Sequence, residues 1–332
     1  ITLVEPEEIS ITATNVFVVE YSGFGVSCLG ACDGAINTLA DGGVPAYNYI
    51  WTFQGEEMTQ WEGLSELNNL CPGEYTVTAV DQNNCPEGTS IELTEPPTGI
   101  TFSANAVEHA GGFEITCDGA NDGEINTTAE GGVPPYTYTW TYEGDPIPNT
   151  NDASDLTGLQ PGEYTVTISD ENGCDVTQIV SIVEPEELIL TADAVEHEGG
   201  FEITCNGADD GEINTTIQGG VPPYTYTWTY EGDPIPDTND ASDLTGLQPG
   251  EYTVTVTDAN NCPEETFTIT LVEPEEISIT ATNVFEIEYS GFGVSCLGAC
   301  DGAINTLTDG GVPAYNYIWT FEGEEMTQWE GL

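Results

Sequence analysis

The chain has 332 residues, of which 59 are Asp or Glu, and it contains neither Lys nor Arg, so its formal net charge is −59. Binding to nucleic acid or to an anionic lipid surface depends on basic groups, and this composition excludes both as electrostatic partners. An enzyme of this composition would lack the usual cationic support for an anionic transition state. No apolar run is long enough to span a bilayer, so we expect no membrane insertion in this segment.

The chain begins with a segment that matches the end of a later strand. Residues 1–6 are identical to residues 269–274, so we interpret residues 1–8 as the final strand and linker of a preceding repeat. The first repeat then spans residues 9–96. Its alternating segments, separated by Gly, Pro, Asn and Asp, predict an antiparallel sandwich of seven short strands. These predicted strands cover residues 9–14, 16–21, 24–28, 34–39, 47–54, 74–81 and 89–94.

Further units of about 90 residues follow the first. We place the second repeat at residues 97–185, the third at residues 186–274 and a partial fourth at residues 275–332. Residues 269–332 differ from residues 1–64 at only four positions, so a super-repeat of three units begins again. The fixed period predicts an all-β array of tandem immunoglobulin-like (Ig-like) β-sandwich domains. Short linkers rich in Pro and Glu favour an extended, semi-rigid rod.

One strand and one turn characterise the complete units. In the second repeat, Tyr and Trp alternate with Thr, which predicts a strand with one buried face. Stacking against sugars is the alternative role for this stripe of Tyr136, Tyr138, Trp140 and Tyr142. A Pro-Gly-Glu-Tyr sequence follows at residues 161–164, where β-sandwiches place a tyrosine corner.

Ten cysteines recur at widely separated positions without zinc-binding spacing, which favours disulfides in an oxidising, extracellular setting. A leading cysteine opens each unit, and in the three complete units a closing cysteine follows 57 residues later. We therefore predict one bridge inside each complete repeat and a second one in the first repeat. The predicted pairs are Cys28–Cys85, Cys117–Cys174, Cys205–Cys262 and Cys32–Cys71. Cys296 and Cys300 match Cys28 and Cys32, and we expect their partners beyond residue 332.

Acidic turns are the candidate metal sites. An Asp followed by Gly recurs at one position of the units, and carboxylate oxygens at short spacing suit Ca²⁺. Asp-Gly is also the ordinary chemistry of a tight turn, and no EF-hand pattern is present. Linker glutamates such as Glu184 are alternative cation ligands. The sequence leaves the turn role and the calcium role open for Asp33, Asp122, Asp210 and Asp301.

Few other residues are candidates for function. Trp61 and Trp329 lie outside the aromatic strands and are candidates for exposed contacts. His109 and His197 occupy matching polar loops, where we expect surface side chains. No Ser-His-Asp or Cys-His arrangement recurs, and no pair of carboxylates is distinguished for acid–base catalysis, so we expect no enzyme.

Together the motifs of these units resemble the SprB-type repeat. In the third unit they are Cys205-Asn206-Gly207 followed by Asp210-Gly211, then Gly219–Trp228, then Leu247–Cys262. That family consists of very long cell-surface adhesins of gliding Bacteroidota that the type IX secretion system exports. The resemblance covers essentially the whole chain and implies a surface filament that a gliding motor moves.

We therefore expect a structural and adhesive segment of a secreted cell-surface filament. Its partners would be neighbouring repeats, surface glycans or a substratum. One alternative is a binding module that depends on glycans or calcium. Another is a pilus-like polymer, in which residues 1–8 complete an unfinished domain of another chain.

Overall fold

The alternating sequences form antiparallel strands in a computed structural model, which describes residues 2–150, 153–238, 241–284 and 302–326. The chain divides into two units, Ile1–Ile115 with Gly119–Glu184 and Thr116–Asp118 with Pro185–Leu332. Within the described ranges the only helical elements are two short 3-10 turns, Thr59–Trp61 and Ala110–Gly112. Those ranges hold no helix with the length and apolar character that crossing a bilayer requires.

The first repeat is a sandwich of two antiparallel sheets. Its strands are β1 (Ser10–Asn15), β2 (Gly34–Asp41), β3 (Asn48–Phe53), β4 (Glu56–Glu57), β5 (Glu66–Leu70), β6 (Gly73–Val80) and β7 (Pro86–Leu93). Three strands form one sheet in the order β1-β2-β5, and four form the other in the order β4-β3-β6-β7. This division of strands between two packed sheets is that of an Ig-like sandwich.

The second and third repeats have the same seven strands in the same sheet order. The second repeat contains β8 (Thr101–Ala106), β9 (Gly123–Glu130), β10 (Thr137–Tyr142), β11 (Asp145–Pro146), β12 (Leu156–Leu159), β13 (Gly162–Ser169) and β14 (Asp175–Ile182). The third repeat contains β15 (Ile189–Ala194), β16 (Gly211–Gln218), β17 (Thr225–Tyr230), β18 (Asp233–Pro234), β19 (Leu244–Leu247), β20 (Gly250–Thr257) and β21 (Glu265–Leu271).

The partial fourth repeat contributes two further antiparallel pairs. Strand β22 (Ser278–Asn283) pairs with β23 (Ile304–Asp309), and β24 (Thr320–Phe321) pairs with β25 (Glu324–Glu325). The register of β22 with β23 matches that of β1 with β2, because Ser278 lies opposite Asp309 as Ser10 lies opposite Asp41.

A tryptophan in the larger sheet is the centre of each complete core. Trp51, Trp140 and Trp228 have no exposed surface. Because a buried indole N–H needs an acceptor, each donates to a backbone carbonyl 13 residues later at 2.8–2.9 Å. The tyrosines of the aromatic stripe pack against the same core. The prediction that this stripe packs in the core is therefore confirmed.

The predicted tyrosine corners are present in all three complete repeats. The phenol groups of Tyr75, Tyr164 and Tyr252 donate to the carbonyl four residues earlier, at 2.8, 3.0 and 3.1 Å. Burial disfavours the charged phenolate and raises the pKa of Tyr75 to about 12.

The strand predictions between β1 and β2 are wrong. Residues 16–21 and 24–28 form turns and irregular backbone. Their apolar residues pack locally, as in Phe17 and Tyr21, whose ring centroids lie 5.1 Å apart. Strands β4 and β5 were not predicted, because β4 has only two residues and β5 is polar at three of its five positions.

Candidate functional site: the joints between repeats

The bridges between leading and closing cysteines join successive repeats, so the predicted bridges inside each repeat are wrong. Cys28 bonds to Cys174, with Cα atoms 5.8 Å apart, and Cys117 bonds to Cys262, with Cα atoms 5.5 Å apart. In both cases a leading cysteine pairs with the closing cysteine of the following repeat. The two cysteines of each bridge lie in the same structural unit. The pairs that the structure contradicts are Cys28–Cys85, Cys117–Cys174 and Cys205–Cys262.

The last strand of each sandwich explains why the two cysteines of one repeat do not meet. Cys85 directly precedes β7, whereas the backbone amides of Gly25 and Val26, near Cys28, donate to Thr94 O, which follows β7. An eight-residue strand is about 27 Å long. Disulfide geometry allows a Cα–Cα distance of at most about 7 Å. The leading and closing cysteines therefore lie at opposite ends of their own sandwich.

The six cysteines outside these two bridges fall into three groups. The predicted bridge Cys32–Cys71 inside the first repeat is confirmed. Cys85 and Cys205 are exposed and have no disulfide partner. Cys296 and Cys300 lie outside the described residues.

A buried aspartate holds the loop that carries each closing cysteine. We call residues 81–85, 170–174 and 258–262 the closing-cysteine loops. In the second repeat, Asp170 Oδ1 accepts the amides of Asn172 and Cys174 at 3.0 and 2.9 Å, and Oδ2 accepts the amide of Val133 at 2.9 Å. The equivalent carboxylates make the same three hydrogen bonds, and all three side chains are 5–6% exposed: Asp81, Asp170 and Asp258.

These amides favour the charged form of the carboxylate. The amide of Cys85, followed by that of Val44, holds the pKa of Asp81 below its usual value. Charge-assisted hydrogen bonds of this kind are stronger than bonds between neutral groups. Each closing cysteine is therefore presented on a loop that its own repeat fixes.

An asparagine of the closing-cysteine loop binds the backbone beside the leading cysteine. Asn172 Nδ2 donates to Ser27 O at 3.0 Å and to Tyr21 O at 3.3 Å. In the second unit, Asn260 Nδ2 donates to Thr116 O at 2.8 Å. Each disulfide is thus accompanied by a hydrogen bond to the residue just before the leading cysteine.

A linker glutamate holds the turn that carries each leading cysteine. We call residues 28–30, 117–119 and 205–207 the leading-cysteine turns. Each ends in a glycine in the left-handed region, with φ between 70° and 75°. The amide of that glycine donates to a glutamate carboxylate in the linker after the same repeat, at 2.5–2.8 Å: Gly30 to Glu95, Gly119 to Glu184 and Gly207 to Glu273.

The following repeat holds the linker from its other side. The amide of Gly132 donates to Thr98 O at 3.1 Å. The preceding Gly131 lies so close to the linker that a Cβ atom there would be 2.3 Å from Gly99 O. The glycine pairs at 42–43, 219–220 and 310–311 make equivalent contacts with their own linkers. The linker of each joint is therefore held at both ends.

Three of the predicted metal residues, Asp33, Asp122 and Asp210, lie directly before a strand. Asp33 Oδ1 accepts the amide of Ser27 at 3.0 Å, and Asp210 accepts both the hydroxyl and the amide of Thr204. The Thr204 hydroxyl, with its amide, holds the pKa of Asp210 below its usual value. Asp122 precedes β9 in the same way, and Asp301 is outside the described residues.

Asp33 and Asp210 therefore accept hydrogen bonds within their own repeats. In the part of the chain that the structure describes, no group of three or more His, Cys, Asp or Glu side chains is placed to hold a metal ion. Calcium binding stays a prediction, which thermal unfolding in Ca²⁺ and in EDTA would test.

The remaining candidates are less exposed than expected. Trp61 is half-buried, packs against the first core and has its ring centroid 5.9 Å from that of Tyr75. His109 and His197 are half-buried rather than surface residues, and their Nε2 atoms are enclosed without a hydrogen-bond partner. Trp329 lies outside the described residues.

The aspartates of the closing-cysteine loops are functional residues that sequence reasoning missed. The available signal is their constant position four residues before the closing cysteine, in DQNNC, DENGC and DANNC. Recognising it requires knowing that the loop is buried against the turn that contains the glycine pair, residues 42–43, 131–132 and 219–220, which we call the double-glycine turn.

Comparisons with known proteins agree with the repeat pattern. The model of the SprB repeat matches residues 114–142 and 202–230. A decoration protein of Escherichia phage T5 is 41% identical over 63 residues, which cover 17% of this chain and 37% of that protein.

Two solved structures are also similar. Three N-terminal domains of the outer capsid protein Hoc of bacteriophage RB49 have 15% identity and a TM-score of 0.36, covering 80% of this chain and 97% of that one. A Ca²⁺-stabilised adhesin that helps an Antarctic bacterium bind ice has 16% identity and a TM-score of 0.39, covering 82% and 76%. At these scores neither likeness carries an argument about function.

The two SprB matches begin just before a leading cysteine and end in the tryptophan-bearing strand of the second and third repeats. They therefore include the leading-cysteine turn and the double-glycine turn of these joints. The second and third repeats therefore each contain a match to the SprB repeat.

Proposed function

We propose that this chain is a structural and adhesive segment of a long secreted cell-surface filament that serves gliding motility. The observation that carries the proposal is the pair of bridges Cys28–Cys174 and Cys117–Cys262, which overlap along the sequence. Tension along the array would pass through disulfides as well as through the linkers. Disulfides persist in oxidising surroundings outside the cell. The SprB matches support a non-enzymatic, structural or adhesive protein at the surface.

The charge of the chain suits a bundle of such filaments. A net charge of −59 without any Lys or Arg makes neighbouring filaments repel each other at close range. At physiological salt this repulsion acts over about 8 Å. Contacts with a substratum would then be made without the filaments adhering to each other.

Antibody labelling of intact source cells tests this function. We expect immunogold label on extended surface fibres without permeabilisation, and beads coated with the antibody should be carried along the surface of moving cells. Label that appears only after permeabilisation would contradict a surface filament. Labelled fibres on which the beads never move would support a surface filament but contradict a role in gliding.

A further inference from the structure

Two exposed cysteines, Cys85 and Cys205, have no disulfide partner. We propose that they are the two halves of a third inter-repeat bridge. Cys85 receives the leading cysteine of a preceding repeat of the third kind, and Cys205 bonds to the closing cysteine of a following repeat of the first kind. Each thiol marks the attachment surface for one more repeat of the same array.

The loop of Cys85 already has the conformation of the bonded closing-cysteine loops. Asp81 accepts the amides of Asn83 and Cys85 at 2.8 and 2.9 Å and that of Val44 at 2.9 Å. The equivalent bonds in the two repeats whose closing cysteine is bridged differ by no more than 0.2 Å. The first repeat therefore presents its thiol as the other two do.

The difference between these loops is exposure. Asn83 and Cys85 are both exposed, whereas Asn172 and Cys174 are partly covered by the neighbouring repeat. In that formed joint the Asn172 amide donates to Ser27 O beside the bonded Cys28. Asn83 and Cys85 thus expose the same two groups that contact the preceding repeat in the formed joint, an amide donor and a thiol.

The leading-cysteine turn of the third repeat is complementary to this surface. The Gly207 amide donates to Glu273 as its counterparts donate to Glu95 and Glu184. Thr204 and Cys205 are exposed, whereas Thr116 and Cys117 in the bridged turn are half-buried. Thr204 occupies the position whose carbonyl accepts the asparagine amide at the two formed joints.

The order of the repeats identifies which kinds meet. Residues 275–332 copy the first repeat and directly follow the third, so a repeat of the first kind comes after one of the third kind. The printed sequence does not include the part of that repeat that matches residues 65–96, which carries the closing cysteine. By the rule of the two formed joints, the partner of Cys205 is a cysteine of the Cys85 kind.

Forming this bridge is a two-electron oxidation. Two thiols give up two electrons and two protons as the S–S bond forms. A small-molecule disulfide such as oxidised glutathione accepts both through thiol–disulfide exchange and leaves as two thiols.

The test protein carries a copy of residues 65–96 after Leu332, which completes the fourth repeat and adds its closing cysteine. The substitution Cys85→Ser in the same protein removes the first repeat's own closing cysteine, so that the added one is the only closing cysteine of this kind that can bond to Cys205. The protein is oxidised in a glutathione buffer, alkylated and digested with a protease that cuts at glutamate, since trypsin has no sites. We expect alkylation of Cys205 to fall about tenfold from its level in the unextended chain. A peptide joining Cys205 to the added closing cysteine should appear.

Two controls separate the bridge from a general effect of the extension. A matched chain whose added closing cysteine is replaced by serine should keep Cys205 fully alkylated. A bridge between Cys300 and the added copy of Cys71 reports that the completed repeat has folded. A second chain, with a copy of residues 186–268 placed before Ile1, tests Cys85 independently, and its alkylation should fall by a similar factor.

A mapped bond from either thiol to its matching cysteine supports the proposal. Full alkylation of Cys205 in the first extended chain together with full alkylation of Cys85 in the second would overturn it. Bonds from these thiols to any other cysteine would overturn it equally.

Discussion

At the scale of single residues, the aspartate of each closing-cysteine loop links sequence to joint geometry. Its carboxylate accepts three amides, two within the loop and one from the double-glycine turn. A buried carboxylate is tolerated there because its lone pairs are satisfied. The hydrogen bonds bring two separate loops together at the end of the sandwich that receives the preceding repeat.

Replacing this carboxylate by an amide should destabilise the repeat. In Asp170→Asn one oxygen becomes an NH2 group that faces a backbone amide donor, so at least one of the three bonds is lost. We expect a loss of about 2 kcal/mol in unfolding free energy, the usual range for a hydrogen bond to a charged group. Urea unfolding measures it against Asp145→Asn, an exposed position of β11. Equal midpoints for the two variants would contradict the role of Asp170.

The phenol of Tyr75 makes the first repeat sensitive to alkali. Its pKa is about 12 when folded, against 10.0 for an ordinary tyrosine. The raised value contributes stability that is complete below pH 10 and is lost as the pH rises towards 12. We expect the unfolding temperature to fall over this interval, and to fall less in Tyr75→Phe. An ultraviolet absorbance titration that is identical for both proteins near pH 12 would show that Tyr75 is not the responsible group.

At the scale of elements, the strands with strict alternation were predicted well. Strands β2, β3, β6 and β7 lie within three residues of their predicted bounds, because a buried face imposes a period of two on the sequence. The segment before β2 has apolar residues as well, yet they pack within turns. Its apolar content alone gave no means to distinguish a loop that packs locally from a strand.

The double-glycine turn was visible in the sequence, but its role was not. The motif GGVPPY indicates a turn, whereas the reason for two glycines is the linker that passes against them. That contact joins residues about 30 positions apart, such as Gly131 and Gly99. Local pattern carries no information on such an approach.

A side chain at the first glycine should therefore disturb the joint. Gly131 and Gly144 both have positive φ, 77° and 87°, so a substitution to alanine strains the backbone similarly at each. Only at Gly131 would the new Cβ meet the linker, 2.3 Å from Gly99 O, while Gly144 has open space around it. We expect Gly131→Ala to cost about 1–3 kcal/mol more than Gly144→Ala in thermal or urea unfolding. Equal costs would mean that the linker is not held there.

At the scale of the whole molecule, the disulfides determine how the array responds to tension. With both inter-repeat bridges intact, the load on an unfolded chain passes through residues 1–28, 117–174 and 262–332, about half of the chain. At ~3.5 Å per residue the full extension is then ~550 Å, against ~1,200 Å after reduction. Single-molecule stretching with and without a reducing agent should show this doubling. The same extension under both conditions would contradict the bridges.

The pairing of the leading and closing cysteines was predicted wrongly from the sequence. Closing cysteines recur 57 residues after their own leading cysteine and 146 or 145 residues after the preceding one. Spacing is therefore compatible with bridges within repeats and with bridges between them. Only the topology, which places the two cysteines of a sandwich at opposite ends of its last strand, decides between the patterns. A bridge over about 146 residues also removes more chain entropy, about 5 kcal/mol in the loop model.

Peptide mapping of the unreduced protein tests this central claim most directly. Free thiols are alkylated first, the chain is cut at glutamates, and the linked peptides are identified by mass. We predict peptides that join Cys28 to Cys174 and Cys117 to Cys262, with alkyl groups on Cys85 and Cys205. Peptides that join Cys28 to Cys85 and Cys117 to Cys174 would show that each repeat closes on itself and would contradict the account.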